Sequence, residues 1–274
     1  MKRNLSYVEL SKISQKMRCD ILNMICEAGS GHPGGSLSAI DILLVLYYYV
    51  MNHDPKNPEW VDRDRFILSK GHAAPALYTV LAECGYFQKN CLSTLRDLGS
   101  ILQGHPDKRL TPGIEVSSGS LGNGLSISSG IALANKLDNK KNRVYCLLGD
   151  GECDEGLVWE AAMFAPHYKL NNLTAVIDRN GLQIDGKTET VMALEPLADK
   201  WQAFNWNVIK VNGHDYTALL EAFEASKKET QRPTMIIAST IKGRGVSYME
   251  GVKEFHGKPP SKLELEQALK ELEA

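Results

Sequence analysis

Apolar residues recur along the chain at two periods. Spacings of three and four mark residues 5–28, 38–51, 75–84, 121–137, 156–165 and 215–228 as helices. Short apolar runs bounded by turn residues mark strands at 143–148, 173–178, 206–211 and 234–240, and RFILSKGHA suggests another short strand that ends in a loop. The Gly-rich SGHPGGS at 30–36 reads as a break between the first two helices, and a long turn-rich section holding QGHPDKRLTPG follows the third. Beyond it strands and helices alternate, which predicts an α/β fold: a parallel sheet covered by helices on both faces. No internal repeat, low-complexity linker or composition boundary interrupts the chain, so residues 1–274 are expected to form a single domain. The ending KLELEQALKELEA reads as a solvent-facing helical tail over about 261–274, with Leu265, Leu269 and Leu272 on its buried stripe.

Composition narrows the classes of partner. With 43% hydrophobic and 23% charged residues the chain is that of a soluble globular protein with ample core. A net charge of -2 and the lack of any basic stretch interleaved with aromatics argue against nucleic acid. The start is basic but mixed in polarity, unlike a secretory signal. The longest apolar run, AIDILLVLYYYVM, contains Asp41 and falls short of a bilayer span, so a buried helix is expected and no membrane. Six cysteines without a CxxC pair read as reduced core residues of a cytoplasmic protein, with a zinc site the weaker alternative.

The stretch LLGDGECDEG, 147–156, carries the first chemistry. A buried strand ends in Gly-Asp-Gly and passes directly into a helix, whose free N–H groups and positive dipole end favour a phosphate. An aspartate there would repel that phosphate unless a cation lay between, which makes Asp150 a candidate magnesium ligand. In parallel α/β sheets the ligand crevice lies beyond the carboxyl ends of the strands. Asn180 follows the next strand, and Lys242, Gly243 and Gly245 follow the last. Asp150, the Asn180 amide oxygen and a carbonyl such as that of Leu182 are hard oxygen donors suited to Mg2+, with phosphate oxygens and water completing its octahedron. His32, His72, His105 and His256 sit in Gly-flanked loops, a setting that favours site positions, whereas His53, His167 and His214 lack it and read as structural. Glu152 and Asp154 read as exposed acids at a helix start.

From Asp150 to Asn180 the chain resembles the thiamine diphosphate enzymes, whose motif opens with GDG and closes about thirty residues later with Asn. It is similar in particular to the amino-terminal, diphosphate-binding domain of transketolases. The words SGHPGGSLS, LSKGHAAPALY, LQGHPD, GSLGNGLSISSGIALA, GDGECDEGLVWEAA, DRNGLQIDG and FHGKPP follow one another in the family's order over nearly the whole chain. Two departures stand out: Ser120 where transketolases usually have proline, and Arg179 in place of the first Asn of a double-Asn form.

The resemblance implies thiamine diphosphate and Mg2+ as cofactors, with Gly119, Leu121, Gly149, Asp150, Gly151, Glu155, Asn180, His72 and His256 around the cofactor and Asp150, Asn180 and Leu182 on the metal. It implies that His72 and His256 lie near the diphosphate and reacting centre, and that His32 and His105 bind substrate hydroxyls and shuttle protons. Glu155 and Glu160 match positions where a carboxylate joins a network between two active sites, with an ordinary helix ion pair as the other reading for Glu160. The implied activity is transfer of a two-carbon ketol unit from a ketose to an aldose, free or phosphorylated. The glutamate that acts on the cofactor's aminopyrimidine belongs to a second domain in this family. The expected assembly is therefore an α2β2 heterotetramer with a separate, carboxy-terminal, pyrimidine-binding subunit. Alternatives are the α subunit of a 2-oxo acid dehydrogenase, a deoxyxylulose phosphate synthase, and a non-catalytic subunit on the same fold.

Overall fold

A computed structural model describes residues 5–273. Helix α1 (Tyr7–Ala28) starts on a capping box in which Ser6 and Glu9 satisfy each other's backbone N–H groups, and it stops at Gly29 in the left-handed region. Helix α2 (Pro33–Val45) begins five residues earlier than its apolar periodicity predicts and runs on through a π-turn over Leu46–Val50. Two physical reasons account for the difference. Proline at the first helical position loses only an N–H that had no partner, and the glycines after it are demanded by space rather than by a turn. A Cβ on Gly34 would lie 2.9 Å from both Lys242 Cγ and the Phe255 carbonyl oxygen.

The sheet comprises β1 (Arg65–Leu68), β2 (Val144–Gly149), β3 (Leu173–Arg179), β4 (Asn207–Asn212) and β5 (Thr234–Ser239), all parallel, in the order β1-β2-β3-β5-β4. Alternate side chains divide two cores. Tyr145, Leu147, Val176, Ile236 and Ala238 face the layer of α1, α2, α3 (Ala74–Cys84), α8 (Tyr216–Lys228) and α9 (Lys262–Glu273). Cys146, Leu148, Ala175, Ile177 and Met235 face α4 (Asn123–Leu137), α5 (Gly156–His167) and α7 (Leu197–Ala203). Because both faces are covered, the inner strands read as continuous apolar runs, and only edge strand β4 is half-exposed. Helix α7 and the single turn α6 (Thr188–Val191) were not legible from periodicity; each is too short to show one.

The span Pro33–Val50 is long and apolar enough to cross a membrane by length and composition, yet it is buried inside the protein, packed against α1, α3 and α8. Its Asp41 is held by Arg18 at 2.7 Å. The tail helix buries Ala268 and Leu272 against α1, while Leu265 and Leu269 are half-buried.

Candidate functional site

Segments just past the carboxyl ends of β1, β2, β3 and β5 converge on one pocket. It is lined by residues of all four, including Lys70 and His72, Gly149 to Glu152, Asn180 and Leu182, and Lys242, together with Gly35 at the start of α2, Leu121 and His256. This is where an open parallel sheet places its ligand crevice.

At the base of the pocket, Asp150 is 2% exposed. Its Oδ1 accepts from the Gly151 N–H (2.9 Å), and its Oδ2 accepts from the Gly181 N–H (2.6 Å) and from Arg179 Nη1 (3.1 Å). Burial, then the nearby Asp178, raise its pKa, which marks a carboxylate short of compensating charge. Oδ1 has a single donor and keeps coordinating capacity toward the pocket. Asn180 Oδ1 accepts from the Leu182 N–H at 3.1 Å, which closes a tight turn and presents the Leu182 carbonyl to Lys242 Nζ at 3.2 Å. The three residues expected to supply oxygen donors therefore line one pocket. Among the described residues there is no cluster of three or more His, Cys, Asp or Glu able to hold a metal. The donor set at Asp150 has one carboxylate and two amide oxygens, which suits a hard cation that keeps phosphate and water ligands.

Above that floor three imidazoles form a triangle, with ring centroids 5.3 Å apart for His32–His72, 5.5 Å for His32–His256 and 5.1 Å for His72–His256. Burial and neighbouring cations keep all three neutral. His32 is lowered to about 4 by burial and Arg96, His256 to about 3 by burial and Lys242, and His72 falls well below its ordinary value through burial and Lys70. The Nδ1 of His32 is buried without a hydrogen-bond partner. His105 is exposed and is not among the residues lining the pocket; its ring is 3.5 Å from where a Cβ on Gly119 would stand, and its carbonyl accepts from the Tyr78 hydroxyl. Burial and Arg96 lower its pKa as well.

The acids that follow Gly-Asp-Gly divide by burial. Glu155 does not line the pocket: it is exposed at the start of α5, with its Cβ beside Gly122. Glu160 is likewise exposed. Glu152, read as a solvent-facing acid, is 2% exposed and holds three loops together. It accepts from the Gly122 N–H (2.9 Å), the Gly149 N–H (2.9 Å) and the Ser69 hydroxyl. The acid string had concealed it, because a 3-10 turn over Gly151–Asp154 rotates Glu152 inward and Asp154 outward.

Periodicity also passed over a buried ion pair. Lys70 Nζ donates to Asp178 at 2.5 Å and to the Gly35 carbonyl at 3.0 Å, and Asp178 accepts from Ser38 (2.6 Å) and Thr240 as well. Burial alone would raise the Asp178 pKa, but Lys70 and these donors hold it below the usual carboxylate value. A charged residue closing the apolar run LTAVID was the available signal. The ammonium of Lys242 rests on the Leu182 carbonyl and on His256 Nδ1 (3.0 Å); burial, then Lys70, lower its pKa to about 8. A buried cation whose hydrogen bonds go to a carbonyl and an imidazole rather than to a carboxylate is suited to meet an anionic group entering the pocket.

The family model for the transketolase thiamine diphosphate binding domain matches residues 10–273. One of the subunits of the apulose-4-phosphate transketolase of Phocaeicola vulgatus is 43% identical over 259 residues, covering 94% of this chain and 92% of that one. The 6-deoxy-6-sulfo-D-fructose transketolase subunit SqwG of a Clostridium species is 44% identical, with 97% of each chain covered. Human transketolase is 42% identical across 96% of this chain, which spans only 42% of its length. Among solved structures, Campylobacter jejuni transketolase superposes with a TM-score of 0.92 at 33% identity, covering 98% of this chain and 43% of that one.

Proposed function

The chain belongs to the transketolase family by its thiamine diphosphate-binding domain, and from that premise we propose that it is the diphosphate-holding subunit of a split transketolase. In this reading it works with a separate pyrimidine-binding chain in an α2β2 assembly and moves two-carbon ketol units between sugars or sugar phosphates. The observation that carries the split reading is coverage. Relatives named as transketolase subunits align with this chain over nearly their whole length, whereas single-chain transketolases are matched over about two fifths of theirs.

The residues present fit the cofactor. Asp150, Asn180 and the Leu182 carbonyl would hold Mg2+, and Lys242, the Gly149–Gly151 backbone and His72 would hold the diphosphate. When bound, thiamine diphosphate supplies the electron sink that a ketol cleavage needs. The chain's own contribution is to exclude water at the pocket floor, and to offer His32, His105 and His256 as neutral imidazoles. Each can donate to or accept from a sugar hydroxyl at neutral pH without first losing a proton. A cytoplasmic location belongs to the same reading, supported by six unpaired thiols.

The metal floor is tested by Asp150→Ala and Asn180→Ala. Each should weaken thiamine diphosphate binding and its magnesium dependence at least about tenfold while the circular dichroism spectrum stays unchanged, since both side chains lie beyond strand ends rather than in the core. Calorimetric titration reads the effect. Wild-type affinity in both variants would remove the site.

A further inference from the structure

Lys242 reaches the pocket from a segment in which Gly243 and Gly245 both adopt positive φ, +78° and +95°. Three contacts from other elements tie that segment down. The Gly243 N–H donates to the Gly34 carbonyl at 3.0 Å, Arg18 Nε donates to the Arg244 carbonyl at 3.0 Å, and the Ile241 N–H donates to Nε2 of His214 at 2.9 Å. Since Nε2 accepts, the proton of His214 is on Nδ1, where Asp41 Oδ2 lies 2.7 Å away. Asp41 in turn accepts from Arg18 (2.7 and 3.1 Å), Ser14 (2.5 Å) and Tyr216 (3.2 Å). A carboxylate in the middle of an apolar helix is a poor device for stability alone, because an apolar side chain would serve α2 as well. What it provides is direction. It fixes one tautomer of His214, and with Arg18 it grips the backbone on both sides of Lys242.

We propose that Asp41 and His214 are positioning residues for Lys242, setting the backbone from which its ammonium is delivered to the anionic end of the cofactor. The proposal rests on the assignment of the pocket given above. His214 is not among the residues lining the pocket; it acts through the Ile241 N–H.

A double-mutant cycle on the full chain separates this role from general support of the fold. Thiamine diphosphate affinity is measured in the presence of magnesium by 31P NMR titration, for wild type, Lys242→Met, His214→Ala and the double variant. His214→Ala should lower affinity about tenfold when Lys242 is present and less than about twofold in the K242M background. His214→Gln, which keeps a donor and an acceptor, should recover most of the loss. Equal losses in both backgrounds would overturn the positioning role while leaving the pocket assignment intact. No loss in K242M alone would instead overturn the place of Lys242 in the pocket, and the proposal with it. Should His214→Ala fail to fold, Asp41→Asn carries the same cycle, since it keeps the side chain's size but swaps an acceptor oxygen for a donor.

Discussion

His32 shows how far a single residue's chemistry depends on what surrounds it. In the sequence it is a histidine between glycine and proline; in the fold it faces two other imidazoles and Arg96, and its pKa drops to about 4. The unfolded chain returns it to about 6.5. A histidine whose folded pKa is depressed contributes stability that is complete above the unfolded value and is lost as pH falls from about 6.5 toward 4, because the unfolded state takes up the proton first. The denaturation midpoint should therefore fall across that window, and His32→Asn should flatten the fall. A ring titration by NMR with a midpoint near 6.5 would contradict the burial argument. At neutral pH the same shift leaves His32 uncharged, which a group that both donates to and accepts from hydroxyls requires.

At the scale of elements, two glycines of α4 that look alike in sequence have opposite reasons to be there. A Cβ on Gly124 would overlap Ser69, standing 2.7 Å from its Cα, because α4 crosses the end of β1 at backbone contact. Gly130 has nothing within 4 Å of the same position. Gly124→Ala should cost about 1–3 kcal/mol through overpacking and, by pushing Ser69 off Glu152, disturb the pocket wall. Gly130→Ala should stabilise the chain by up to about 1 kcal/mol, as an ordinary helix-interior replacement. Urea unfolding of both variants distinguishes them, and equal effects would mean that the close approach of α4 to β1 carries no weight. The same distinction explains why α2 starts at Pro33: Gly34 and Gly35 were legible as loop-formers, but their purpose is to let Lys242, Phe255 and His72 come close.

For the molecule as a whole, the split reading predicts insufficiency. The chain alone should bind thiamine diphosphate weakly and show no ketol transfer with any ketose, and adding the pyrimidine-binding partner should restore both; robust turnover by the isolated chain would defeat that reading. How much of this was readable without coordinates follows from the range of the interactions involved. Alternating strands and helices, the parallel sheet, and the GDG-to-Asn and Gly-His words are local signals, set by side-chain period and turn chemistry within a few residues, and the sequence alone determined them. It also marked Asp150 and Asn180 as neighbours through the rule that strand ends converge, whereas His32, His72 and His256 were singled out by their Gly-flanked loops and brought to the same site by the family resemblance. Burial of Glu152, pairing of Lys70 with Asp178, exposure of Glu155 and the Asp41–His214 hold on Lys242 were decided only by tertiary structure. Each joins residues distant in sequence, or turns on which way a side chain faces at a short 3-10 turn or a helix cap, and neither property leaves a period in the chain.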